Sequence, residues 1–378
     1  MIPFSYAPSP LDPVQRQAAR LQMELSGLFQ VSEVHLRGPG DEEIAFSGRF
    51  LERHGGYAEL ERRFHAHGYT PLLRRKDGQD VLLALKGIVR REGTGNPLLN
   101  VLLLLVTVLT TLSAGAGMVG QEGLFATLSR GDAAGAIVAA YAGAPFALTL
   151  LGILGVHELG HYVAARWHRV AATLPYFIPM PVGGLGTLGA FISVRSPMKN
   201  RTVLFDIGLA GPLAGLVVAL PLFVWGLYLS SPVPHFSPGL TLQVLGSSVL
   251  VDTLTGLLLD LQPGQTLAVH PVFFAAWFGV LITGINLLPI GQLDGGHVAY
   301  GLLGHTAHHL ARGTLLLLLA AGALLSSIWF IWALFALFGG LHHPPPLDDI
   351  SGLDRPRKVV GLLTVVLFFL IITPVPFR

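Results

Sequence analysis

The stretch ALTLLGILGVHELGHYVAAR, residues 147–166, decides how this sequence can fold. It ends an apolar run that begins near residue 140, and a helix that spans a bilayer needs about 20 predominantly apolar residues. Ionisable side chains at membrane depth are rare unless they have a partner or a function. The run therefore predicts a membrane helix that carries three ionisable residues close together, His157, Glu158 and His161.

The composition of the whole chain indicates a membrane protein with one soluble part. Of 378 residues, 52% are hydrophobic and 12% are charged, against roughly 25% charged residues in an ordinary soluble domain. Residues 1–96 contain 25 of the 46 charged residues, whereas the remaining 282 residues contain 21. This split excludes a single large soluble globule. It predicts a small soluble α/β domain over 1–96 and a membrane domain over 97–378.

Charge and cysteine content exclude several classes of function. A net charge of +2, with no basic run longer than Arg74-Arg75-Lys76, excludes nucleic acid as an expected partner. The absence of cysteine excludes disulfide bonds, thiolate zinc sites and cysteine nucleophiles. Because the first long apolar run begins near Pro97, no N-terminal signal peptide is expected. The soluble domain is therefore expected to stay on the cytoplasmic side.

The first 96 residues have strand and helix patterns but no catalytic constellation. Four strands are expected, at 29–36, 44–50, 72–76 and 81–85. Asp77-Gly78 is a hairpin turn signal between the last two strands. Tyr57, Leu60 and Phe64 recur at helical spacing, and Gly68 is placed to end that helix. Sensing or docking of a partner is the functional interpretation of this domain.

Six apolar runs are long enough to cross a bilayer. We place these spans near 97–118, 140–166, 203–230, 270–293, 313–339 and 359–375. Arg166, Lys199 and Arg312 flank ends that the positive-inside rule assigns to the cytoplasm, and the loop 231–266 contains no Lys or Arg. The loop 340–358 is an exception, because six spans place it outside although it contains three basic residues. The predicted fold class is a multi-pass α-helical membrane protein with about six transmembrane helices and a small N-terminal α/β soluble domain.

The segment His157-Glu158-Leu159-Gly160-His161 carries the chemistry of the second span. Two histidines four residues apart lie on one face of a helix, so both imidazoles can bind one zinc ion. Glu158 can accept a proton from a water bound to such an ion. A polar contact between helices is the alternative interpretation.

A third zinc ligand is needed, because zinc hydrolases usually have three protein ligands and an open fourth position. Ala164 and Trp167 occupy the positions of the Gly and third His of a soluble metalloprotease pattern. Glu158 is the last glutamate in the chain, which excludes a later glutamate ligand. Asp206, early in the third span, and Asp294, at the end of the fourth, share the expected depth of the histidines. On physical grounds both remain candidates.

A second motif, NLLPIGQLDG over residues 286–295, adds a family resemblance. Together with the segment 157–161 it resembles the site-2 protease family of intramembrane zinc metalloproteases. The family pattern, Asn-x-x-Pro-x-x-x-Leu-Asp-Gly, is matched at every fixed position. PYFIP (175–179), GTLGAF (186–191) and FDIGLAGP (205–212) resemble the branch that includes cyanobacterial members and a plant chloroplast group. The resemblance covers roughly residues 140–300.

The resemblance implies a role for each motif residue. His157, His161 and Asp294 would bind one zinc ion per chain, and Glu158 would act as general base and then as general acid. Asn286 would hold the substrate carbonyl or stabilise the oxyanion. A hydrogen bond between helices is the alternative role for Asn286.

Neighbouring residues then receive structural roles. Pro289 and Gly291 are expected to break the fourth span, so that the chain turns towards the zinc ion. Asp206 is expected to pair with a helix N-terminus or with a loop arginine. Gly211 and Gly215 have the small-xxx-small spacing that lets helices pack closely.

Residues 172–196 are rich in glycine and apolar residues, which predicts a re-entrant β-hairpin-like segment rather than a helix. Non-helical backbone at membrane depth is tolerated only against protein or a water-filled cavity. Because a protease must hold its substrate in an extended form, an exposed strand edge here would bind substrate by β-augmentation. An ordinary cytoplasmic loop is the alternative.

Two further histidine groups follow the motifs, at His305, His308 and His309 and at His342 and His343. Neither group has a matched acid and base at the expected depth of the metal site. Interfacial or weak adventitious metal binding is therefore expected there, rather than catalysis.

These observations predict an intramembrane zinc metalloendopeptidase of the cell membrane, with its active site towards the cytoplasm. Its expected substrates are membrane proteins, cut within or near a transmembrane segment, in regulated intramembrane proteolysis. A membrane transporter or metal permease is the alternative from another class, and a catalytically inactive homologue that acts as a binding module is a third. A transporter would tolerate loss of Glu158 better than loss of a metal ligand.

Overall fold

The computed structural model describes residues 13–37, 43–51, 55–88, 95–181, 184–234 and 245–377. The chain divides into two compact units. The first comprises Met1–Arg90, Pro197–Arg201 and Pro345–Gly352, and the second comprises Arg91–Ser196, Thr202–Pro344 and Leu353–Arg378. Two short segments from far downstream thus join the N-terminal residues. The domain boundary expected at residue 96 stays a prediction.

The first unit contains two helices and a four-stranded sheet. Its elements are α1 (Pro13–Glu24), β1 (Phe29–Arg37), β2 (Glu43–Phe50), α2 (Gly56–Ala66), β3 (Tyr69–Lys76) and β4 (Gln79–Lys86). The strands pair antiparallel in the order β1-β2-β4-β3. The four expected strands and the helix through Tyr57 are confirmed. Helix α1 was not predicted, although Ala18 and Leu21 on its buried face have helical spacing.

Local sequence explains the geometry of this sheet. Asp77 and Gly78 have φ values of 51° and 80°, as a two-residue hairpin turn between β3 and β4 requires. The core between helices and sheet contains fully buried Phe46 and Phe64. The Tyr57 hydroxyl donates a hydrogen bond of 2.8 Å to the Pro71 carbonyl inside this core. Burial raises the pKa of Tyr57 above its ordinary value.

The outer edge of β3 is paired with a segment from near the C-terminus. The Leu73 N–H donates to the Leu347 carbonyl at 2.9 Å, and the Leu73 carbonyl accepts from the Asp349 N–H at 3.1 Å. The Leu347 N–H in turn donates to the Met198 carbonyl at 2.9 Å, and Arg201 pairs with the buried Asp349 carboxylate at 2.9 Å. Residues 345–352 therefore lie on the same side of any membrane as the sheet. The expectation that the loop 340–358 lies outside is wrong for these residues, because they hydrogen-bond to β3.

The second unit is mostly helical. Its first elements are α3 (Pro97–Met118), α4 (Leu124–Ser129), α5 (Ala133–Trp167), β5 (Tyr176–Pro179), β6 (Thr187–Phe191), α6 (Arg201–Leu229) and β7 (Ser231–Pro234). Its later elements are α7 (Val249–Leu258), β8 (Gln265–Ala268), α8 (Pro271–Asn286), α9 (Asp294–Leu303), α10 (Ala307–Leu324), α11 (Ile328–Gly339) and α12 (Arg355–Ile371). Arg201, the first residue of α6, belongs to the first unit. Strands β5 and β6 form one antiparallel hairpin, and β7 pairs antiparallel with β8.

Four helical stretches among the described residues are long and apolar enough to cross a membrane. They are Pro97–Met118, Ala133–Trp167, Arg201–Leu229 and Asp294–Leu324. The predicted count of six spans is therefore not confirmed. The fourth predicted span, 270–293, contains the 16-residue helix α8, and the sixth, 359–375, contains most of the 17-residue helix α12.

The predicted span 313–339 is divided into two helices. Helix α10 ends at Leu324 and α11 begins at Ile328, with Ser326 and Ser327 between them. A Cβ atom added at Gly322 would lie 2.7 Å from the Phe330 ring, so the two helices double back in close contact. An apolar run of 27 residues is thus a helical hairpin, because a glycine on one helix accommodates an aromatic ring of the other.

Helix α8 is the most enclosed element of the second unit. Buried residues occupy 13 of its 16 positions, among them Phe273 and Trp277. A helix that is apolar on all sides is stable only when it is surrounded. Because α8 ends at Asn286, its packing fixes the start of the segment that leads to Asp294.

Candidate metal centre

Helix α5 holds His157, Glu158 and His161, and all three side chains are buried. The spacing of four residues places the two imidazoles on one helix face. Asp294, the first residue of α9, lies beside them.

A tight backbone reversal brings Asp294 to this position. Helix α8 ends at Asn286, three residues before Pro289, and Gly291 has a φ of 51°. A Cβ atom added at Gly295 would overlap the Leu287 carbonyl oxygen. The break expected from Pro289 and Gly291 is present. The chain folds back so closely on itself that only glycine fits directly after Asp294.

The ligand atoms of three residues converge. The Nε2 atoms of His157 and His161 are 3.2 Å apart, and each lies 3.2 Å from one oxygen of the Asp294 carboxylate. All three ligand atoms lie within 4.8 Å of one another, and no other group of His, Asp or Glu among the described residues meets this criterion. Two imidazoles and one carboxylate are a donor set found in zinc hydrolases, which leave a fourth position for water or substrate. The residues present therefore fit a zinc ion, and His157, His161 and Asp294 are called the metal group below.

A backbone carbonyl fixes the orientation of one imidazole. His161 Nδ1 lies 2.7 Å from the carbonyl oxygen of Ile207 on α6. With the proton on Nδ1, this nitrogen donates to the carbonyl and Nε2 keeps its lone pair towards Asp294. Metal-binding histidines typically have such a partner on their second nitrogen.

Glycines on α6 make room for the imidazoles. A Cβ atom added at Gly211 would overlap His161 Nε2, and one added at Gly215 would lie 3.1 Å from His157 Nδ1. The sequence interpretation assigned these two glycines to helix packing alone. The side chains that they admit are those of the metal group, so a methyl group at Gly211 would collide with a ligand atom.

Glu158 lies next to the metal group but is not part of it. It is buried on α5, and strand β6 packs against that helix. Because consecutive helical residues point in directions about 100° apart, Glu158 does not point in the same direction as His157, and it is not one of the three converging residues. A carboxylate in this position can exchange a proton with a molecule bound at the metal.

Asn286 is half-buried at the last position of α8. Its side chain makes no hydrogen bond within the part of the chain that the structure describes. The alternative role considered for it, a hydrogen bond between helices, therefore has no partner among those residues.

Asp206 belongs to a separate cluster. The Arg357 guanidinium donates from Nε to one Asp206 oxygen at 2.7 Å and from Nη2 to the other at 2.8 Å. His168 Nε2 lies 2.9 Å from the second oxygen. Asp206 was expected to pair with a helix N-terminus or a loop arginine; its partner is an arginine, but Arg357 lies in the first turn of α12 rather than in a loop. Both carboxylate oxygens are occupied by these partners, and the structure does not bring Asp206 into the metal group.

The β5–β6 hairpin packs on α3. The Thr110 hydroxyl donates to the Gly186 carbonyl at 2.6 Å, and the Asn100 amide donates to the Leu174 carbonyl at 2.9 Å. Strand β6 pairs with β5 alone in the described residues, and Leu188 and Phe191 on β6 are exposed. The hairpin expected within 172–196 is confirmed. Its re-entry into a membrane stays a prediction.

Several residues were not assigned from the sequence to the surroundings of the metal group or of Asp206. Ile207 acts through its backbone carbonyl, which leaves no side-chain signal. The glycines at 211 and 215 do mark one face of α6, and they could have identified that face as the one against His161 and His157. His168 and Arg357 had no readable link to Asp206, because Arg357 is 151 residues away in the chain.

Known proteins match this chain over the region that contains the metal group. Residues 145–329 match Peptidase family M50. The chain is 33% identical over 238 residues to "Probable zinc metalloprotease EGY2, chloroplastic" of Arabidopsis thaliana, covering 62% of this chain and 42% of that protein. It is 33% identical over 240 residues to "Probable zinc metalloprotease EGY1, chloroplastic" of the same plant, covering 61% and 43%. No solved structure matches the chain.

These matches confirm the resemblance to site-2 proteases and to a plant chloroplast group. The family match includes the C-terminal part of α5 and all of α6, α8 and α9, and therefore all residues of the metal group. The chain spans about two fifths of the length of the curated relatives it matches.

Proposed function

We propose that this chain, which carries a Peptidase family M50 domain, is a multi-pass membrane zinc endopeptidase of the HExxH type. Its substrates would be membrane proteins, cut within or near a transmembrane segment. The observation that carries the proposal is the convergence of His157, His161 and Asp294 on one point beside Glu158. A transporter or metal permease, the alternative, would tolerate loss of Glu158 better than loss of a metal ligand.

In this proposal His157, His161 and Asp294 hold one zinc ion. When bound there, zinc supplies Lewis acidity that activates a water molecule and polarises a substrate carbonyl. The Ile207 carbonyl keeps His161 in the tautomer that can bind, and the glycine face of α6 keeps space around both imidazoles.

Glu158 moves the protons. Its carboxylate accepts a proton from the attacking water and then delivers it to the leaving amide nitrogen, as general base and general acid in turn. Burial of the side chain suits this role, because the carboxylate exchanges the proton with the substrate rather than with bulk water.

Asn286 binds the substrate carbonyl. Its amide can donate a hydrogen bond to a carbonyl oxygen that becomes negative during attack, without adding a charge to an apolar region. Its half-buried position and the absence of a partner among the described residues support this role.

The exposed edge of β6 holds the substrate backbone. A transmembrane helix resists hydrolysis because its peptide groups are bonded to one another, so the substrate must be locally extended before it is cut. Pairing with β6 would extend it. Strand β6 lies against α5, the helix that carries Glu158, which supports a substrate path along this strand.

The first unit would be the regulatory or docking part in regulated intramembrane proteolysis. We place it, together with the metal centre, towards the cytoplasm of a cell membrane, where the positive-inside rule puts the basic ends of the helices. The loop between α6 and α8 would lie on the opposite side.

The proposed activity is tested with purified protein and a panel of reporters that each have a single transmembrane span. Glu158→Gln should retain zinc, because Glu158 is not a ligand, and should reduce cleavage by about 10²–10⁴-fold, the range typical of acid–base groups. Zinc content and cleavage are measured on the same preparations. Cleavage by the variant at the wild-type rate would remove Glu158 from the mechanism, and a wild type that cuts none of the reporters would contradict the proposal.

Orientation is tested by single-cysteine labelling, which is clean because the chain has no native cysteine. Cysteine at Lys76 and at Gly352 should react with an impermeant reagent from one side of the membrane, since both positions belong to the first unit. Cysteine at Asp252 should react from the other side. Labelling of 76 and 352 from opposite sides would contradict the sheet pairing between β3 and residues 345–352.

A further inference from the structure

Histidines from two distant parts of the chain meet beside Tyr300 of α9. The ring centres of His308 and His342 are 4.9 Å apart, and those of His305 and His308 are 5.8 Å apart. Tyr300 packs against His305 and His308 at 5.8 Å and 5.6 Å. In the sequence these histidines form two groups separated by more than thirty residues, and the hairpin of α10 and α11 brings them together.

The metal group itself supplies a geometric standard. The ring centres of His157 and His161 are 4.9 Å apart, with the rings inclined at 70°. His308 and His342 have the same separation and an inclination of 63°. Two imidazoles bound to one tetrahedral zinc ion, with Zn–N bonds of about 2.0–2.1 Å, have ring centres about 5 Å apart. The spacing of this second pair is thus compatible with two imidazoles that bind one ion.

The orientation of His308 gives an independent indication. Its Nε2 atom lies 3.4 Å from the carbonyl oxygen of His343, which leaves the lone pair of Nδ1 for another partner. His161 has the equivalent arrangement with the Ile207 carbonyl at 2.7 Å. A backbone carbonyl on the non-ligating nitrogen is a common feature of histidine ligands.

We propose that His305, His308 and His342 form a second, exchangeable site for a divalent transition metal ion, separate from the group of His157, His161 and Asp294. Imidazole ligands suit zinc, nickel and copper, whereas magnesium and calcium prefer oxygen ligands. His305 and His342 are exposed, so an ion from solvent can reach their imidazoles. Rotation of these side chains is needed because their ligand atoms do not already converge as those of the metal group do.

A neighbouring cation should weaken this site. The Arg312 guanidinium donates from Nη2 to His342 Nε2 at 3.3 Å, so it competes for the lone pair that a metal would use and adds a positive charge. The proposed site also lacks a carboxylate. We therefore expect weaker binding than at the metal group, and we expect removal of the Arg312 charge to strengthen it.

The test measures bound zinc per chain in full-length protein without a polyhistidine tag, stripped of metal and dialysed against buffered zinc across the micromolar range. Wild type should bind two ions, the weaker of which is lost first on dilution of free zinc. His308→Ala should bind one ion, and Asp294→Asn should retain only the weaker one. His309→Ala is the matched control, because His309 is exposed on the same helix and makes no described ring contact, and it should bind two.

Arg312→Gln separates metal binding from damage to the fold. It should lower the dissociation constant of the weaker ion several-fold, which an unfolded or distorted protein would not do. One zinc ion per wild-type chain throughout the range, or two ions in His308→Ala, would overturn the proposal. An unchanged dissociation constant in Arg312→Gln would also count against it. Because Asp294→Asn removes the first site and leaves the second, this result does not depend on whether the chain is a protease.

Discussion

Two aspartates of similar expected depth have opposite surroundings. Asp294 lies 3.2 Å from each of two imidazoles, which are metal ligands when neutral. Asp206 is bound on both oxygens by the permanently charged guanidinium of Arg357, with His168 as a third partner. The comparison teaches that the chemistry of the partner distinguishes a metal carboxylate from a structural one. A carboxylate neutralised by arginine has little to offer a cation.

The two clusters are nevertheless connected along α6. Asp206 directly precedes Ile207, whose carbonyl accepts the hydrogen bond from His161. The ion pair with Arg357 therefore holds the turn of α6 whose carbonyl contacts the His161 imidazole. Asp206 is a positioning residue in this interpretation, and its loss should act on stability more than on metal content.

The largest effect should come from Asp294→Asn. Two histidines are too few to hold zinc well in a catalytic site, so zinc affinity should fall by more than the roughly 10–100-fold typical of changes outside the ligand shell. Cleavage of single-span reporters should be lost with the metal. Zinc analysis after dialysis checks the first expectation on the same sample used for cleavage.

The matched variant at the other aspartate, Asp206→Asn, should keep its bound zinc even if its cleavage activity falls. Stoichiometric zinc in Asp294→Asn together with zinc loss in Asp206→Asn would exchange the roles of the two aspartates.

A smaller effect is expected from Gly211→Ala. The added methyl group would overlap His161 Nε2, so the imidazole or α6 must shift. Zinc affinity should fall by about 10–100-fold, as for other changes that misplace a ligand. Gly152→Ala is the matched control, because an added Cβ at Gly152 on α5 meets no atom within 4 Å. Equal zinc affinity in both variants would show that the α6 face does not shape the site.

Arg357→Gln should have the smallest effect. It leaves the Asp206 carboxylate with His168 alone, and because the cluster is partly exposed the cost should be on the order of 1 kcal/mol. We expect a lower thermal denaturation midpoint in detergent, full zinc content and at most a few-fold change in cleavage. Arg355→Gln, at an exposed neighbouring position, is the control. Zinc loss in Arg357→Gln but not in Arg355→Gln would mean that the cluster belongs to the metal site.

The sequence predicted the elements whose causes are local. Strand patterns and the Asp77-Gly78 turn were sufficient for the four strands and the β3–β4 hairpin of the first unit, but not for the strand order. The spacing of His157 and His161 was sufficient for two of the three converging residues. Physical reasoning on depth could not choose between Asp206 and Asp294. The choice depends on Arg357, which lies 151 residues from Asp206 in the chain.

Two differences between the predicted and the observed fold have causes that hydropathy and charge cannot reveal. Hydropathy predicted one span over 313–339. The structure has two helices there, α10 and α11, and Gly322 of the first lies close to the Phe330 ring of the second. Charge alone separated residues 1–96 from the rest, and no local pattern indicated that Leu347 would pair with β3.

The pairing of β3 with residues 345–352 has a consequence for biosynthesis. The ribosome must add 262 residues between Arg90 and Gly352 before the sheet can acquire its last partner, which takes roughly 15 to 50 s at the usual rate of about 5–20 residues per second. During that time the Leu73 edge presents unpaired N–H and C=O groups, the kind of edge that recruits other strands. The unpaired edge of β3 can therefore bind chaperones, or the same edge of other nascent chains on the polysome, until the membrane helices that precede residue 345 have been synthesised.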